Sequence, residues 1–362
     1  MLVIEQLQYT TTPRYNFPQP IGDLQLPQKV IELSISSMEG LKGEIFQSYE
    51  VDFPDTMPSR QRHEEDSTPL DGKAFITQLT PLKPVIDDTP IVAIDVSSIK
   101  IGETETGILC AIRGAVIWNR RKDYRYFRLG PFPFHINEES RKEAIDLLRK
   151  CHFPVSSSSD SADIQPKLCN LVEKWIQMNI CCSSNGAIIL WDGSLTAGTS
   201  CNPLDVVSRL LKAARQQSNS VLAFSKTTKI RLLGRKMTDL FFKYSPPWLF
   251  EVEEMRLPIS LYFLGSVYVA RFRSKGYSFR LDIDRILPIE EKIDAVQRLI
   301  GNDMVFQSYP ESLRLAHIYS TFTANEVMGI QHYITHRFKL KALTRRNIRK
   351  SLFGPFGTGF DD

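Results

Sequence analysis

The sequence predicts an α/β protein, a mixed β-sheet flanked by helices, with an irregular N-terminal extension and a basic C-terminal tail. Three observations carry that prediction. Two apolar runs end in an aspartate, Ile91-Val-Ala-Ile-Asp95 and Ala187-Ile-Ile-Leu-Trp-Asp192, the pattern of buried strands. Between and after them lie segments with the 3.6-residue apolar period of amphipathic helices. A stretch rich in β-formers, 106–129, follows the first run and reads as an antiparallel meander.

Residues 1–88 hold Pro13, Pro18, Pro20, Pro27, Pro54, Pro58 and Pro69, with a polar piece from Ser59 to Ser67. They read as an N-terminal extension suited to an interaction arm. Within it Val30-Ile-Glu-Leu-Ser-Ile fits a strand or a helix, and Ala74-Phe-Ile-Thr-Gln-Leu a second short element. After the meander, Glu138–Cys151 predicts a helix through Ala144, Leu147 and Leu148. Gln165–Ile180 predicts a longer one through Leu168, Leu171, Val172, Trp175 and Ile176, and the strand Ile188–Trp191 follows at once. Asn202–Gln217 predicts a helix with Pro203 in its first turn. Val221–Ser225 reads as a short buried strand, and Thr238–Phe250 as helical up to Pro246. Leu261–Phe272 and Ser278–Ile283 form a hairpin around Lys275-Gly276, and Glu290–Ile300 and Ser312–Met328 are helices.

Composition narrows the function classes. The net charge of +4 does not by itself announce nucleic acid, so local clusters matter more than the total. No apolar run is long enough to span a membrane, and the N-terminus lacks a basic and apolar secretory leader, which places the chain in the cytoplasm as an expectation. The six cysteines include no C-x-x-C pair, which argues for reduced thiols and against a zinc site.

The acids carry the chemistry. In chain order come a strand with Asp95, a meander, a helix with Glu173, a strand with Asp192, further α/β structure and a helix with His317. That is the order of a ribonuclease H-like core, in which acids from separate elements meet in one cleft. Two buried carboxylates side by side repel unless a cation lies between them, and oxygen ligands suit a hard divalent ion. Such ions activate water and steady the leaving oxygen in phosphodiester hydrolysis. A histidine completes the shell or moves a proton.

Four patches resemble the NurA family of nucleases, which work beside the HerA translocase in DNA end processing. They are Val92-Ala-Ile-Asp95-Val-Ser-Ser, Leu190-Trp-Asp192-Gly-Ser-Leu, Phe224-Ser-Lys226-Thr-Thr-Lys and Tyr309-Pro-Glu-Ser-Leu-Arg-Leu-Ala-His317. The resemblance spans 91–322. It implies a metal-binding set of Asp95, Glu173, Asp192 and His317, with Tyr309 as an active-site tyrosine and Lys226 as a basic residue near the scissile phosphate. It implies Mn2+ or Mg2+ as cofactor, a homodimer, and single-strand endo- and exonuclease activity with 5′–3′ end resection beside a HerA-type hexameric ATPase. The division it suggests is an extension at 1–88, a nuclease domain at 89–335 and a basic tail at 336–362. Ser308 stands where the family pattern leads one to expect glycine, a departure that bears on the turn before Tyr309.

Each residue has a plainer reading. Asp95 and Asp192 also suit strand-end turns or helix caps. Most helical glutamates are solvated, so Glu173 rests on the resemblance, with Asp163 and Asp205 as local competitors. A lone histidine in an apolar helix is usually a satisfied core residue, and Lys229 competes with Lys226. Asp282 and Asp284 alternate with apolar residues and read as the solvent face of a strand, held in reserve for the acid cluster. Basic clusters supply candidate DNA contacts: Lys226, Lys229, Arg231, Arg235 and Lys236 in one run, Arg121 and Arg125 among Tyr124, Tyr126 and Phe127 in another, and the tail beyond Arg337. The usual fate of such runs is a solvated face. No G-x-x-x-x-G-K-[S/T] loop is present, so an ATP-driven motor must come from a partner. Two other readings share the core: a catalytically silent module that binds nucleic acid or scaffolds a complex, and an Argonaute-like piwi domain.

Overall fold

Three parallel strands form the spine of the sheet, because their sequences are apolar on both faces and only a strand covered on both sides can bury them. The computed structural model describes residues 28–48, 79–226, 228, 231–232, 235–236, 245–252 and 262–342. In chain order the elements begin with α1 (Gln28–Glu39), β1 (Ile45–Ser48), β2 (Leu79–Pro81), β3 (Ile91–Thr104), β4 (Ile108–Arg120) and β5 (Asp123–Ile136). Next come α2 (Glu138–Lys150), α3 (Ser161–Ser183), β6 (Ile188–Asp192), β7 (Thr196–Ala197), α4 (Leu204–Gln216) and β8 (Ser220–Ser225). Short strands β9 (Arg231–Leu232), β10 (Arg235–Lys236), β11 (Trp248–Glu251) and β12 (Tyr262–Phe263) lead to β13 (Gly265–Arg271) and β14 (Phe279–Asp284). The chain closes with α5 (Ile289–Asn302), β15 (Val305–Phe306), β16 (Tyr309–Pro310), α6 (Glu311–Ser320), α7 (Ala324–Arg337) and β17 (Lys341–Ala342).

The main sheet runs β17-β1-β3-β6-β8-β14-β13-β11-β2, and the meander strands β4 and β5 continue from β3. β3, β6 and β8 are mutually parallel, with Ile94 opposite Trp191 and Asp192 opposite Phe224. Parallel neighbours need crossovers, and α3 and α4 supply them. β14 pairs antiparallel with β8.

The pleat sends alternate residues to two cores. Val92, Ile94, Ile189, Trp191 and Val221 face α2, α3 and α4 through Leu147, Val172, Ile176 and Leu210. Ile91, Ala93, Ile188, Leu190 and Leu222 face α5 and α6 through Val296, Leu299, Leu313 and Ala316. Continuing the alternation, Asp95 and Asp192 belong to the second face. A third cluster joins Met38, Phe46 and Leu109 to Val327 and Ile334 of α7.

Most predicted elements are present, and the differences have physical causes. Val30–Ile35 lies within a helix, α1. β1, from the stretch read as an extension, pairs with the end of β3 and with β17. α3 starts four residues before the predicted Gln165, since Asp160 caps it by accepting from the Asp163 N–H at 2.8 Å. Pro203 is the N-cap of α4 and not part of its first turn. The single helix predicted over 312–328 is two helices. Thr323 and Glu326 form a capping box that starts α7, a signal masked by the apolar period running through it. Residues 238–244 of the predicted helix lie outside the described residues, and Trp248–Glu251 is a strand. Asp282 and Asp284 are not on a solvent face: they are 0% and 2% exposed, because β14 lies between β8 and β13, and they pair with Arg280 and Arg215. No helix among the described residues is long and apolar enough to cross a membrane.

The junction of α5 and α6 is tied to the meander by Asp303. Its carboxylate is buried and accepts from Tyr124 Oη at 2.6 Å, Asn119 Nδ2 at 3.1 Å and the Ser312 N–H at 3.1 Å. Burial pushes Asp303 up to about 6, against the lowering effect of the bonds from Tyr124 and Ser312. A raised native pKa favours the protonated form, so its contribution is complete below the ordinary value of 3.8 and is lost as pH rises through about 6. The stability of the protein relative to Asp303→Asn, measured by urea unfolding, is expected to fall by about 3 kcal/mol between pH 3.5 and pH 7.5. An unchanging difference across that range would contradict this account.

Candidate active site

Asp95 and Asp192 follow Ile94 and Trp191, which are register partners on adjacent parallel strands. The two carboxylates therefore leave the sheet at the same level, on the same face, from strands about 4.8 Å apart. α6 packs over this face and brings His317 down to them. One ligand atom from each of Asp95, Asp192 and His317 lies within 4.8 Å of the others. Two oxygen donors and one imidazole suit a divalent ion such as manganese or magnesium, and the register that joins the acids leaves a shared cation as their natural partner.

Asp95 is fully buried, a costly place for a carboxylate. Ser320 Oγ donates to its Oδ2, and His317 Nδ1 stands 3.0 Å from the same oxygen. In the Nδ1–H tautomer the imidazole donates to the carboxylate and is oriented by it. Ser320 lies three residues after His317, so one helix face delivers both. Ser97 Oγ in turn donates to the Ser320 carbonyl, which ties the end of α6 to β3. Sequence reasoning missed Ser320; the i+3 spacing from His317 was the available signal.

Asp192 has a different partner. Lys226 Nζ, just past β8, is 2.9 Å from Asp192 Oδ2 and 5.7 Å from the Tyr309 ring centroid. Tyr309 is buried, its ring 6.0 Å from that of Phe224 and 5.2 Å from that of Phe279. The loop after Asp192 is anchored at several points. Gly193, at φ +123°, donates its N–H to the Phe224 carbonyl at 2.8 Å, and Ser225 Oγ donates to the Gly193 carbonyl. Asp282 accepts the Leu195 N–H at 2.9 Å. Arg280 grips Asp282 with two bonds of 2.8 Å and donates to Thr196 Oγ1. Asp282 is thus an anchor for the loop and lies outside the acid group.

The structure brings together Asp95, Asp192, His317, Lys226 and Tyr309. Glu173 is placed otherwise. It sits on α3, which packs on the opposite face of the sheet, and its Oε1 accepts from Gln177 Nε2 at 3.3 Å; it is not among the three clustered donors. Arg121 and Arg125 are also remote. They flank the β4–β5 turn, where Asn119 pairs with Ile91, whereas Asp95 pairs with Ala115, about 13 Å along the strand. Arg121 is bound to Asp88 and Arg125 to Asp123. The neighbouring aromatics are used internally: Phe127 is buried, Tyr126 stacks on Tyr319 at 4.3 Å, and Tyr124 bonds Asp303. Lys229 lies outside the described residues. Arg231, Arg235 and Lys236 fall on the β9–β10 hairpin, whose backbone alone is described.

The turn before Tyr309 explains the departure at Ser308. Ser308 has φ +70°, the left-handed region that glycine favours, so the backbone demand of the family pattern is present. The serine offsets its strain with its side chain, accepting from the Phe272 N–H at 3.2 Å and the Arg273 N–H at 3.0 Å. A Cβ on Gly276 would lie 2.1 Å from Ser308 Oγ, so glycine at 276 makes room for serine at 308.

A mixed sheet carries two carboxylates side by side on adjoining parallel strands, Asp192 at the end of β6 and Asp95 within the longer β3, and with the histidine of the covering helix they form a group that could hold a metal ion. The description of the NurA domain matches residues 89–320, well over half of the chain. The chain belongs to the NurA domain family. Among solved structures it is similar to the NurA nuclease from Sulfolobus solfataricus, at 15% identity over 72% of this chain and 88% of that one, with a TM-score of 0.49. It is similar to a NurA crystallised with manganese, at 11% identity over 69% and 90%, TM-score 0.38. Endonuclease V from Bacillus subtilis matches at 10% identity over 71% and 88%, TM-score 0.35. No curated protein sequence matches the chain.

Ser308→Ala keeps the strained φ and removes the acceptor of two N–H groups, that of Phe272 buried and that of Arg273 partly buried. It is expected to lower unfolding stability by about 2–3 kcal/mol, and Ser308→Gly by less, because glycine relieves the strain. Chemical denaturation of both variants checks the order; equal stability of Ser308→Ala and the parent protein would contradict it.

Proposed function

We propose that this protein is a divalent-metal-dependent nuclease that hydrolyses DNA phosphodiester bonds at the Asp95–Asp192–His317 centre. One observation supports the reading above others: three donors from distant parts of the chain converge within 4.8 Å in a chain of the NurA family. Asp95 and Asp192 would hold the ion, with His317 as nitrogen ligand or proton carrier, and the ion would supply Lewis acidity and activate water for attack on phosphorus. Ser320 fixes the Asp95 carboxylate. Lys226 balances the charge of Asp192 and faces the phosphate that approaches it, and Tyr309 gives that lysine an aromatic wall. Glu173 enters as a further ligand on the family pattern alone.

The oxygen-rich donor set with one imidazole favours Mn2+, with Mg2+ as the other candidate. The family resemblance supports a homodimer, a HerA-like ATPase partner, single-strand cleavage with 5′–3′ end resection, a cytoplasmic location and the division into 1–88, 89–335 and 336–362. Lys226, Lys229, Arg231, Arg235 and Lys236, which follow β8 in the sequence, are the proposed DNA contacts of that run, with Arg121 and Arg125 as a remote second contact.

Asp95→Asn and Asp192→Asn preserve shape and remove charge. Both are expected to reduce manganese-dependent cleavage of labelled single-stranded DNA by more than the roughly 10–100-fold that loss of an outer partner costs, and Ser320→Ala by about that outer-partner amount. DNA binding is expected to persist in all three. Cleavage by both Asp variants at the rate of the parent protein would remove the proposal.

A further inference from the structure

We propose that the turn joining β13 to β14, residues 272–278, is the platform on which the site receives a single nucleic-acid strand, with Tyr277 stacking on a base and Arg273 and Lys275 meeting its phosphates. The inference deepens the nuclease reading and rests on it for the identity of the ligand.

Register places the turn. β14 runs antiparallel to β8, with Arg280 opposite Ser225, so its first residue lies at the end of β8 that leads into Lys226. Asp192 ends β6 at this same edge, and Asp95 stands level with it within β3, since those strands are parallel to β8. The β13–β14 turn therefore overhangs the acid centre, whereas the β4–β5 turn is at the other edge. Ligands of sheets with parallel strands gather at this carboxyl edge.

Composition and exposure fit the ligand. Tyr277 is 64% exposed, and Arg273 and Lys275 are exposed beside it. No carboxylate occurs between Arg271 and Asp282. An exposed aromatic flanked by uncompensated cations is the pairing that binds a single strand: the ring stacks a base of any sequence and the cations replace counterions on the phosphates. Phe306, 58% exposed and next to Gln307, adds a second exposed ring beside Tyr277; the Arg314 guanidinium 6.0 Å from it is already paired with Glu311. A duplex would offer no open base to Tyr277.

The platform is held rigid before any strand arrives. Arg271 donates to the Ser274 carbonyl at 2.7 Å, Ser308 Oγ accepts from the Phe272 and Arg273 N–H groups, and the Tyr277 N–H bonds the Gln307 carbonyl at 3.0 Å. Its aromatic surface continues into the site. The Tyr277 ring meets Phe279 at 6.5 Å, Phe279 meets Tyr309 at 5.2 Å, Tyr309 faces Lys226, and Lys226 holds Asp192. A base stacked on Tyr277 directs its strand along this line to the carboxylates.

The test is fluorescence anisotropy of a labelled oligothymidylate with the full chain in chelator, where no cleavage occurs. Tyr277→Ala is expected to weaken binding roughly 10-fold or more, and Tyr277→Trp to stay within about twofold. Arg273→Ala with Lys275→Ala is expected to weaken binding and to reduce the slope of log affinity against log salt by about 1.4, the share of two phosphate contacts on a single strand. Affinity and salt slope equal to the parent in both Tyr277→Ala and the double variant would overturn the platform and leave the nuclease reading standing. Absence of oligothymidylate binding by the parent protein itself would overturn the nucleic-acid reading and the platform with it. Loss of self-association with oligothymidylate binding intact would assign the turn to a protein contact and likewise overturn the proposal. Because Tyr277 is exposed, its variants are expected to melt as the parent does, and the double variant provides the same test on two further exposed residues.

Discussion

Two carboxylates in register on adjoining parallel strands are the constraint on which the rest of this molecule depends. The parallel pairing of β3 and β6 makes their proximity unavoidable, and the apolar runs before them make Asp95 fully buried. Like charges in such a place are unfavourable unless other groups answer them. The fold answers with a hydroxyl from Ser320, an imidazole from His317 and an ammonium from Lys226. Each comes from an element whose position follows from that demand. α6 must lie on the acid face, and it must end where Ser320 can reach back to β3.

That ending has its own supports. Arg113, buried on β4, donates to the Thr321 carbonyl, lies 4.2 Å from the Phe322 ring centroid and pairs with Glu326 at 2.9 Å. Arg128 pairs with the same carboxylate at 2.8 Å. Burial would push Glu326 up, but the bonds from Arg113, the Thr323 N–H and Arg128 bring it down to about 2. One glutamate therefore completes the cap of α7, pairs with two arginines and fixes the break between α6 and α7. On the Asp192 side the Arg280–Asp282 pair plays the corresponding part through Leu195 and Thr196. The Arg280–Asp282 pair is buried and the Glu326 pairs are partly so; such pairs are weak sources of stability but good sources of fixed geometry. Here both sit one step behind the carboxylates.

What could be read from sequence follows a physical division. Asp95 and Asp192 were legible because each closes an apolar run at a charge, although only Asp192 ends its strand; β3 continues past Asp95 to Thr104. His317, Lys226 and Tyr309 were legible through the patches around them. Ser320 and the role of Asp282 were not, since a hydroxyl that completes a buried carboxylate and an aspartate that anchors a distant loop leave no local pattern. The reading of Asp282 and Asp284 as a solvent face failed for a definite reason: period-two alternation marks the two sides of a strand, but a central strand has no wet side. The helix break at 321–323 was hidden because the apolar period continues across it. Glu173 rests on the family pattern alone: the apolar residues of its helix pack on the other face of the sheet, and it is not among the three clustered donors.

The two long hairpins show why composition alone misplaces a binding surface. Both join aromatics to arginines. In the β4–β5 hairpin the tyrosines are committed inward, Tyr124 to Asp303 and Tyr126 to Tyr319, so they hold α6 against the sheet. Two of its tip cations, Arg121 and Arg125, are paired with Asp88 and Asp123. In the β13–β14 hairpin the aromatics run from the exposed Tyr277 to the buried Tyr309, and the tip carries no acid. Strand direction decides the rest. An antiparallel partner of β3 must turn at the amino edge of the spine, and an antiparallel partner of β8 must begin at its carboxyl edge. Only the second can present a side chain to the carboxylates, so the same residue types serve as mortar at one edge and as a reaching surface at the other.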